Sequence, residues 1–208
     1  MPKPFQVHDK YFQMAKERGY RARSAFKLLD IQQKFNILKS GQKLVDLGAA
    51  PGSFLQVIEK FMGSDGLAVG VDLQDIEPLD NANIKTVRGD IMDTDQMIDL
   101  FKQAEFIKNG KGQADVLTSD LAPKTSGIKD VDQGLSVELT DQAFYLATRV
   151  LKPGGHFVGK VFEGADLPWL LKRVKRKFKK VSVFKPPSCR DRSFEKYIVG
   201  VGLKVGAN

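Results

Sequence analysis

The chain's 208 residues, 42% of them hydrophobic, suit one α/β domain with a sizeable core and exclude wholesale disorder. Its 33 Lys and Arg against 25 Asp and Glu leave a net charge of +8, which favours a polyanionic partner. A single cysteine, Cys189, and two histidines, His8 and His156, exclude a disulfide framework and a cysteine- or histidine-based metal centre.

Residues 9–36 read as helical, with apolar positions at Tyr11, Met14, Ala15, Ala25, Phe26, Leu29 and Phe35, and Gly19 divides them into two helices. This stretch carries a basic cluster from Lys16 to Lys27, in which Arg18, Arg21 and Arg23 suit phosphate contacts and Tyr20 offers a ring to a base. From residue 43 short apolar runs alternate with helical segments. Strands are expected at 43–47, 67–73, 84–87, 115–118, 156–162, 181–184 and 197–203, and helices at about 53–62, 94–108, 134–151 and 166–179. Such alternation predicts a mainly parallel sheet with helices on both faces. The last two strands are joined by KPPSCRDRSFEK alone, too short for a parallel crossover, so they are expected to pair antiparallel. A second basic stretch, LKRVKRKFKK at 171–180, reads as a solvated helix face, and the loop from Lys185 to Arg192 is a third candidate for RNA contact. There is no repeat and no linker, which leaves one domain: an N-terminal helical segment over 1–40 facing RNA, and a catalytic core over 41–204.

Residues 44–54, LVDLGAAPGSF, run from a strand through a glycine turn into a helix. Gly48 and Gly52 let the backbone turn tightly and approach a ligand. The run is neither G-x-G-x-x-G nor a P-loop, and Pro51 removes an amide that a phosphate cradle would use. Asp46 puts a negative charge at the strand's carboxyl end, which suits the ammonium or sulfonium of S-adenosylmethionine better than a pyrophosphate. Asp72, ending the second strand, suits a ribose diol, and Asp90, ending the third, suits an adenine amino group. Each of these aspartates also fits a plain turn or cap role.

The fourth strand ends in TSDLAPKTSG, placing Asp120 at the ligand-binding edge of the sheet. The fifth carries Lys160 inside GGHFVGKVFEG, where desolvation makes a lysine costly unless it is paired or needed. Lys27 and Glu195 read, by spacing alone, as a helix-surface residue and a strand-end charge.

Together LVDLGAAPGSF, SDLAPKTSG, GGHFVGKVFEG and RSFEKYIVG, preceded by YRARSAFKLLDI, resemble the FtsJ-type RNA 2′-O-ribose methyltransferases from about Tyr11 to Leu203. The resemblance implies a Rossmann-like S-adenosylmethionine-dependent fold, a seven-stranded mostly parallel sheet with the last strand antiparallel. It implies a catalytic set of Lys27, Asp120, Lys160 and Glu195, and cofactor contacts from Gly52, Phe54, Asp72, Asp90 and Asp120, with Ser53 and Phe54 standing where relatives often carry GGW. The implied reaction is methylation of a ribose 2′-hydroxyl, a uridine being the expected nucleotide, in large-subunit ribosomal RNA, free or in the assembled large ribosomal subunit. Rival readings are an idle RNA-binding assembly factor on the same fold, a methyltransferase for another RNA such as tRNA, and a nicotinamide oxidoreductase, which the missing G-x-G-x-x-G disfavours. With no apolar run near the ~20 residues of a membrane span and no signal-peptide core, the expectation is a cytoplasmic monomer without membrane or metal.

Overall fold

The computed structural model describes residues 10–190 and 193–206. Its elements are α1 (Lys10–Glu17), α2 (Ala25–Phe35), β1 (Lys43–Leu47), α3 (Ser53–Met62), β2 (Leu67–Asp72), β3 (Ile84–Arg88), α4 (Thr94–Gln103), β4 (Ile107–Lys108), β5 (Lys111–Gly112), β6 (Ala114–Ser119), α5 (Lys129–Val150), β7 (Leu151–Phe162), α6 (Leu167–Lys177), β8 (Phe178–Phe184) and β9 (Glu195–Leu203). Gly19, at φ +71°, turns the chain between α1 and α2, as its place in the sequence predicts. The start of the expected first helix at residue 9, His8, and residues 191 and 192 of the candidate RNA loop lie outside the described residues.

Seven strands form one sheet in the order β3-β2-β1-β6-β7-β9-β8. β9 runs antiparallel to both β7 and β8, and the pairs from β3 across to β7 are parallel. The chain leaves β1 towards β2 and β3, then returns to lay β6 on the other side. The strand order therefore reverses between β1 and β6, and the crevice beyond their carboxyl ends is where such sheets bind ligands.

Side chains alternate across the sheet, and each face has its own core. Val45, Leu47, Leu117, Phe157 and Ile198 pack with α4, α5 and α6. Leu44, Val116, Val158, Tyr197 and Val199 pack with α1, α2 and α3. By this alternation Asp46, Thr118, Asp120 and Lys160 also point towards the α1–α3 layer. That places them within reach of α2.

Four expected boundaries move by three residues or more. α4 stops at Gln103, because Asn109 and Gly110 at φ +52° and +70° form the Asn-Gly hairpin of β4 and β5. α5 begins at Lys129 rather than 134, as Asp132 accepts the Ser126 and Gly127 amides and fixes its first turn. β7 begins at Leu151, ahead of the glycine pair, and β8 begins at Phe178, whose buried ring belongs to the sheet core. Lys179 and Lys180 therefore sit on a strand. Among the described residues no helix is long and apolar enough to cross a membrane, and no His, Cys, Asp and Glu cluster could hold a metal.

Candidate active site

The turn after β1 is built for close approach. Gly48 and Gly52 hold φ +70° and +106°, and a Cβ at either would come within 2.7 Å of Leu121 Cδ2 or 2.6 Å of Arg21 Nη1. The amides of Gly48 and Ala49 donate to the Val71 carbonyl, at 2.9 and 3.1 Å, tying the turn to β2. Asp72 closes the same corner, accepting from Ala50 N at 3.0 Å and Gln74 N at 2.9 Å. Each carboxylate oxygen has a second lone pair, so these bonds leave Asp72 able to accept a diol. Asp90 accepts from Met92 N at 2.9 Å, an Asx turn that leaves its second oxygen to a ligand. The turn role thus leaves acceptor capacity at both aspartates.

Asp46 is 1% exposed. Its Oδ1 accepts from Thr118 Oγ1 at 2.7 Å, and its Oδ2 has no hydrogen-bond partner among the described residues. Burial pushes its pKa up to about 8; the Thr118 bond opposes this, and the Asp120 and Asp72 charges add to it.

Two apolar side chains that the sequence reading did not single out flank the two aspartates. Leu73 and Met92 are 61% and 45% exposed, one residue after Asp72 and two after Asp90. The Phe54 ring is buried in the α1–α3 core.

Lys27, Asp120, Lys160 and Glu195 come together in an alternating chain of charges. Lys27 Nζ lies 2.8 Å from Glu195 Oε1, which is 3.9 Å from Lys160 Nζ, and Lys160 Nζ lies 3.1 Å from Asp120 Oδ1. The Lys160 ammonium also donates to the Asp120 carbonyl at 2.6 Å. Antiparallel register explains the meeting on the strands: Lys160 pairs with Tyr197, and Glu195 with Phe162, so all four share a face. Lys27 arrives because α2 clamps the loop before β9, with Asp30 accepting from Ser188 N at 2.9 Å and Arg23 donating to the Ser188 carbonyl.

Two charges of each sign leave this group neutral, and each stabilises its neighbours. Burial opposes the charge of Lys27, but Asp120 and Glu195 outweigh it and raise its pKa. Burial likewise opposes the charges of Asp120 and Glu195, and the two lysines outweigh it and lower both. Tyr197, fully buried, donates its hydroxyl to Asp120 Oδ1, and Ser193 Oγ donates to Glu195 Oε2 at 2.9 Å. Neither residue was singled out by sequence reasoning. Tyr197 was legible as the residue two beyond Glu195 on a strand, hence on the same face.

The basic N-terminal cluster divides. The half-buried Arg21 donates from its guanidinium to the carbonyls of Pro51, Glu77 and Pro78 and so braces the turn after β1. Tyr20 is buried, its ring against Phe26 and its hydroxyl bonded to Lys60, so it is not a stacking platform. Arg18 lies over the Phe26 ring. Arg23, with Lys27, Arg190, Ser193 and Glu195, lines a cleft of about 390 Å³, so two of the four charged residues, Lys27 and Glu195, form part of its wall. On α6, Arg173 is paired with Asp141 at 2.8 Å and covers Trp169.

A model of the FtsJ-like methyltransferase family matches residues 20–203. A "Ribosomal RNA large subunit methyltransferase E" of Methanothrix thermoacetophila is 46% identical over 94% of this chain and 72% of its own. One of the same name from Syntrophobacter fumaroxidans is 41% identical over 96% of this chain and 98% of its own. Among solved structures, a ribosomal RNA methyltransferase from Plasmodium falciparum superposes with TM-score 0.75 at 27% identity, over 88% of this chain and 98% of that one. A fibrillarin of Aeropyrum pernix with bound S-adenosyl-L-methionine, at TM-score 0.59 and 18% identity over 86% and 76%, shares the fold.

Proposed function

We propose, on the premise that this chain belongs to the FtsJ-like methyltransferase family, that it transfers a methyl group from S-adenosylmethionine to a ribose 2′-hydroxyl of large-subunit ribosomal RNA. The observation that carries the reading is the Lys27–Glu195–Lys160–Asp120 chain beside the switch-point crevice. A uridine in the large subunit is the expected target, and the names of the relatives support ribosomal RNA as the substrate.

The residues at the crevice fit the cofactor. Asp46 Oδ2 is a buried acceptor awaiting a cation, Gly48 and Gly52 leave no room for side chains, and Asp72 and Asp90 keep lone pairs for a diol and an amino group. Leu73 and Met92 would give an adenine ring its apolar surroundings. When bound, the cofactor's sulfonium supplies a methyl group on a good leaving group, so no metal is called for.

Lys160 carries the chemistry. Its ammonium is held by Asp120 Oδ1 and the Asp120 carbonyl, and faces Glu195. That cation orients the hydroxyl and stabilises the negative charge that builds on its oxygen as the proton leaves. The Asp120 carboxylate takes that proton as the oxygen attacks the methyl carbon, because the forming bond acidifies the hydroxyl enough to offset the lowered pKa of Asp120. Lys27 and Glu195 hold Lys160 in place. The test is incubation with large ribosomal subunits and methyl-labelled cofactor, followed by alkaline hydrolysis of the RNA. Label in alkali-resistant dinucleotides is expected; label confined to mononucleotides would place the methyl on a base and overturn the ribose assignment.

A further inference from the structure

Glu195 and Ser193 border two clefts, one on each side. The first, described above, is lined by cations. The second, of about 320 Å³, is lined by Phe162 and Phe194, with Thr125, Lys129 and Gln133 on its rim. Glu195, 3.9 Å from the Lys160 ammonium, lines both, so RNA that brings one ribose to Lys160 has the two clefts next to it. Phosphates suit the first cleft, with Arg23, Lys27 and Arg190 around it. The second has the size of a small-ligand site and an aromatic wall.

Phe194 is 51% exposed although its backbone is fixed, its carbonyl accepting from Glu163 N at 2.9 Å beside the start of β9. Lys129 Nζ lies 4.7 Å from the ring centroid, bringing to the ring the positive charge that a phosphate next to a stacked base needs. The opposite wall is preformed. Asp132 spends its carboxylate on the Ser126 and Gly127 amides and the Ser126 hydroxyl, and Gln133 donates to the Glu163 carbonyl. An exposed phenylalanine alone is ordinary; this one immediately precedes Glu195 in a rigid cleft.

We propose that this cleft holds an unpaired nucleobase of the RNA beside the target ribose, stacked on the Phe194 ring. The proposal rests on the methyl-transfer reading and adds a base subsite to it. A ring that stacks a base tolerates sequence, so the site holds the strand in register and does not read its letters.

The full chain and its F194A, F194L and F194Y variants are compared on large ribosomal subunits from a strain lacking this gene. F194A and F194L should raise KM for the subunits by roughly 10-fold or more, as expected for one lost stacked base, with cofactor affinity unchanged and F194Y close to the parent. Rescue by Leu as complete as by Tyr would reduce Phe194 to apolar filler and overturn the proposal, as would unchanged KM in F194A. Independently, an oligouridylate carrying 5-iodouridine should photo-crosslink to the tryptic peptide Ser193–Lys196 of the parent. Crosslinks found only elsewhere would overturn the base site. If the parent leaves the subunits unmethylated, the methyl-transfer reading falls while the crosslink still decides on the base.

Discussion

The Tyr197 hydroxyl donates to Asp120 Oδ1, the same oxygen that lies 3.1 Å from the Lys160 ammonium. One buried carboxylate oxygen is thus held from two sides, by a neutral donor and a charged one. Tyr197→Phe removes the neutral donor, and with it one of the contacts that keep the Asp120 pKa low after burial and the two lysines have had their effect. The Asp120 pKa should rise and the acid limb of the methyl-transfer pH profile should move to higher pH. Turnover should fall about tenfold, the equivalent of ~1.4 kcal/mol, with cofactor affinity unchanged. The stability loss should be about 1–3 kcal/mol at neutral pH. A depressed acid pKa contributes stability above the unfolded value and loses it as pH falls through the folded one, so the difference from the parent should shrink below about pH 4. An unmoved acid limb would mean that Tyr197 only packs.

Asp46 makes a prediction of opposite sign. Its raised pKa, about 8 against an ordinary 3.8, means that the folded protein holds this proton more tightly than the unfolded chain does. Its contribution to stability therefore declines as pH rises from about 4 to about 8, and is level above that. Asp46→Asn should abolish that decline and melt higher than the parent at pH 8. A cationic cofactor beside Asp46 should lower its pKa and release a proton at pH 7. Calorimetry in buffers of different ionisation enthalpy should therefore find release approaching one proton per site in the parent and none in Asp46→Asn. Buffer-independent heats in the parent would separate Asp46 from the cofactor's charge.

The two arginines of the N-terminal cluster should behave differently when changed singly. Arg21→Ala removes the brace on the Pro51, Glu77 and Pro78 carbonyls, so cofactor affinity should fall by about 1 kcal/mol, kept small because the bonds are partly exposed. Arg23→Ala, at the cationic cleft, should leave cofactor affinity alone and reduce the salt slope of RNA binding by about one unit. Titrations of each variant with cofactor and with RNA at several salt concentrations check this. A reduced salt slope in Arg21→Ala equal to that in Arg23→Ala would return Arg21 to the RNA surface.

Most of the fold was legible because its signals are local. Strand–helix alternation gave the parallel sheet, and the short loop before Glu195 gave the antiparallel end. The misplaced boundaries are those set by tertiary bonds: Asp132 starting α5 through the amides of a loop, and Phe178 drawn into the sheet core. Asp46, Asp72, Asp90, Asp120 and Lys160 lie at strand ends, where the sheet's own geometry marks ligand sites. Lys27 could be placed only by resemblance, because its approach depends on α2 gripping the Ser188 loop, 158 residues away from Asp30 in the chain. The fates of Arg21 and Tyr20 were hidden for the same reason. A basic or aromatic residue looks alike in sequence whether its partner is a phosphate, a base or a carbonyl of its own chain.

The most direct measurement is single-turnover methyl transfer by Lys160→Ala on large ribosomal subunits, read as alkali-resistant label. Lys160 is 6% exposed and lies against the Asp120 carboxylate and carbonyl, away from Asp72 and Asp90, the residues proposed to hold the ribose diol and the adenine amino group. Loss of its charge should slow the step at least about 100-fold, while the folded variant keeps cofactor and subunit affinities near those of the parent and melts lower, because the buried Asp120 carboxylate has lost a charged partner. Lys160→Arg keeps the charge and cannot act as a base at neutral pH, and should retain clearly more activity than Lys160→Ala. Near-normal turnover of folded, cofactor-bound Lys160→Ala would contradict the assignment of the reaction to this charged chain.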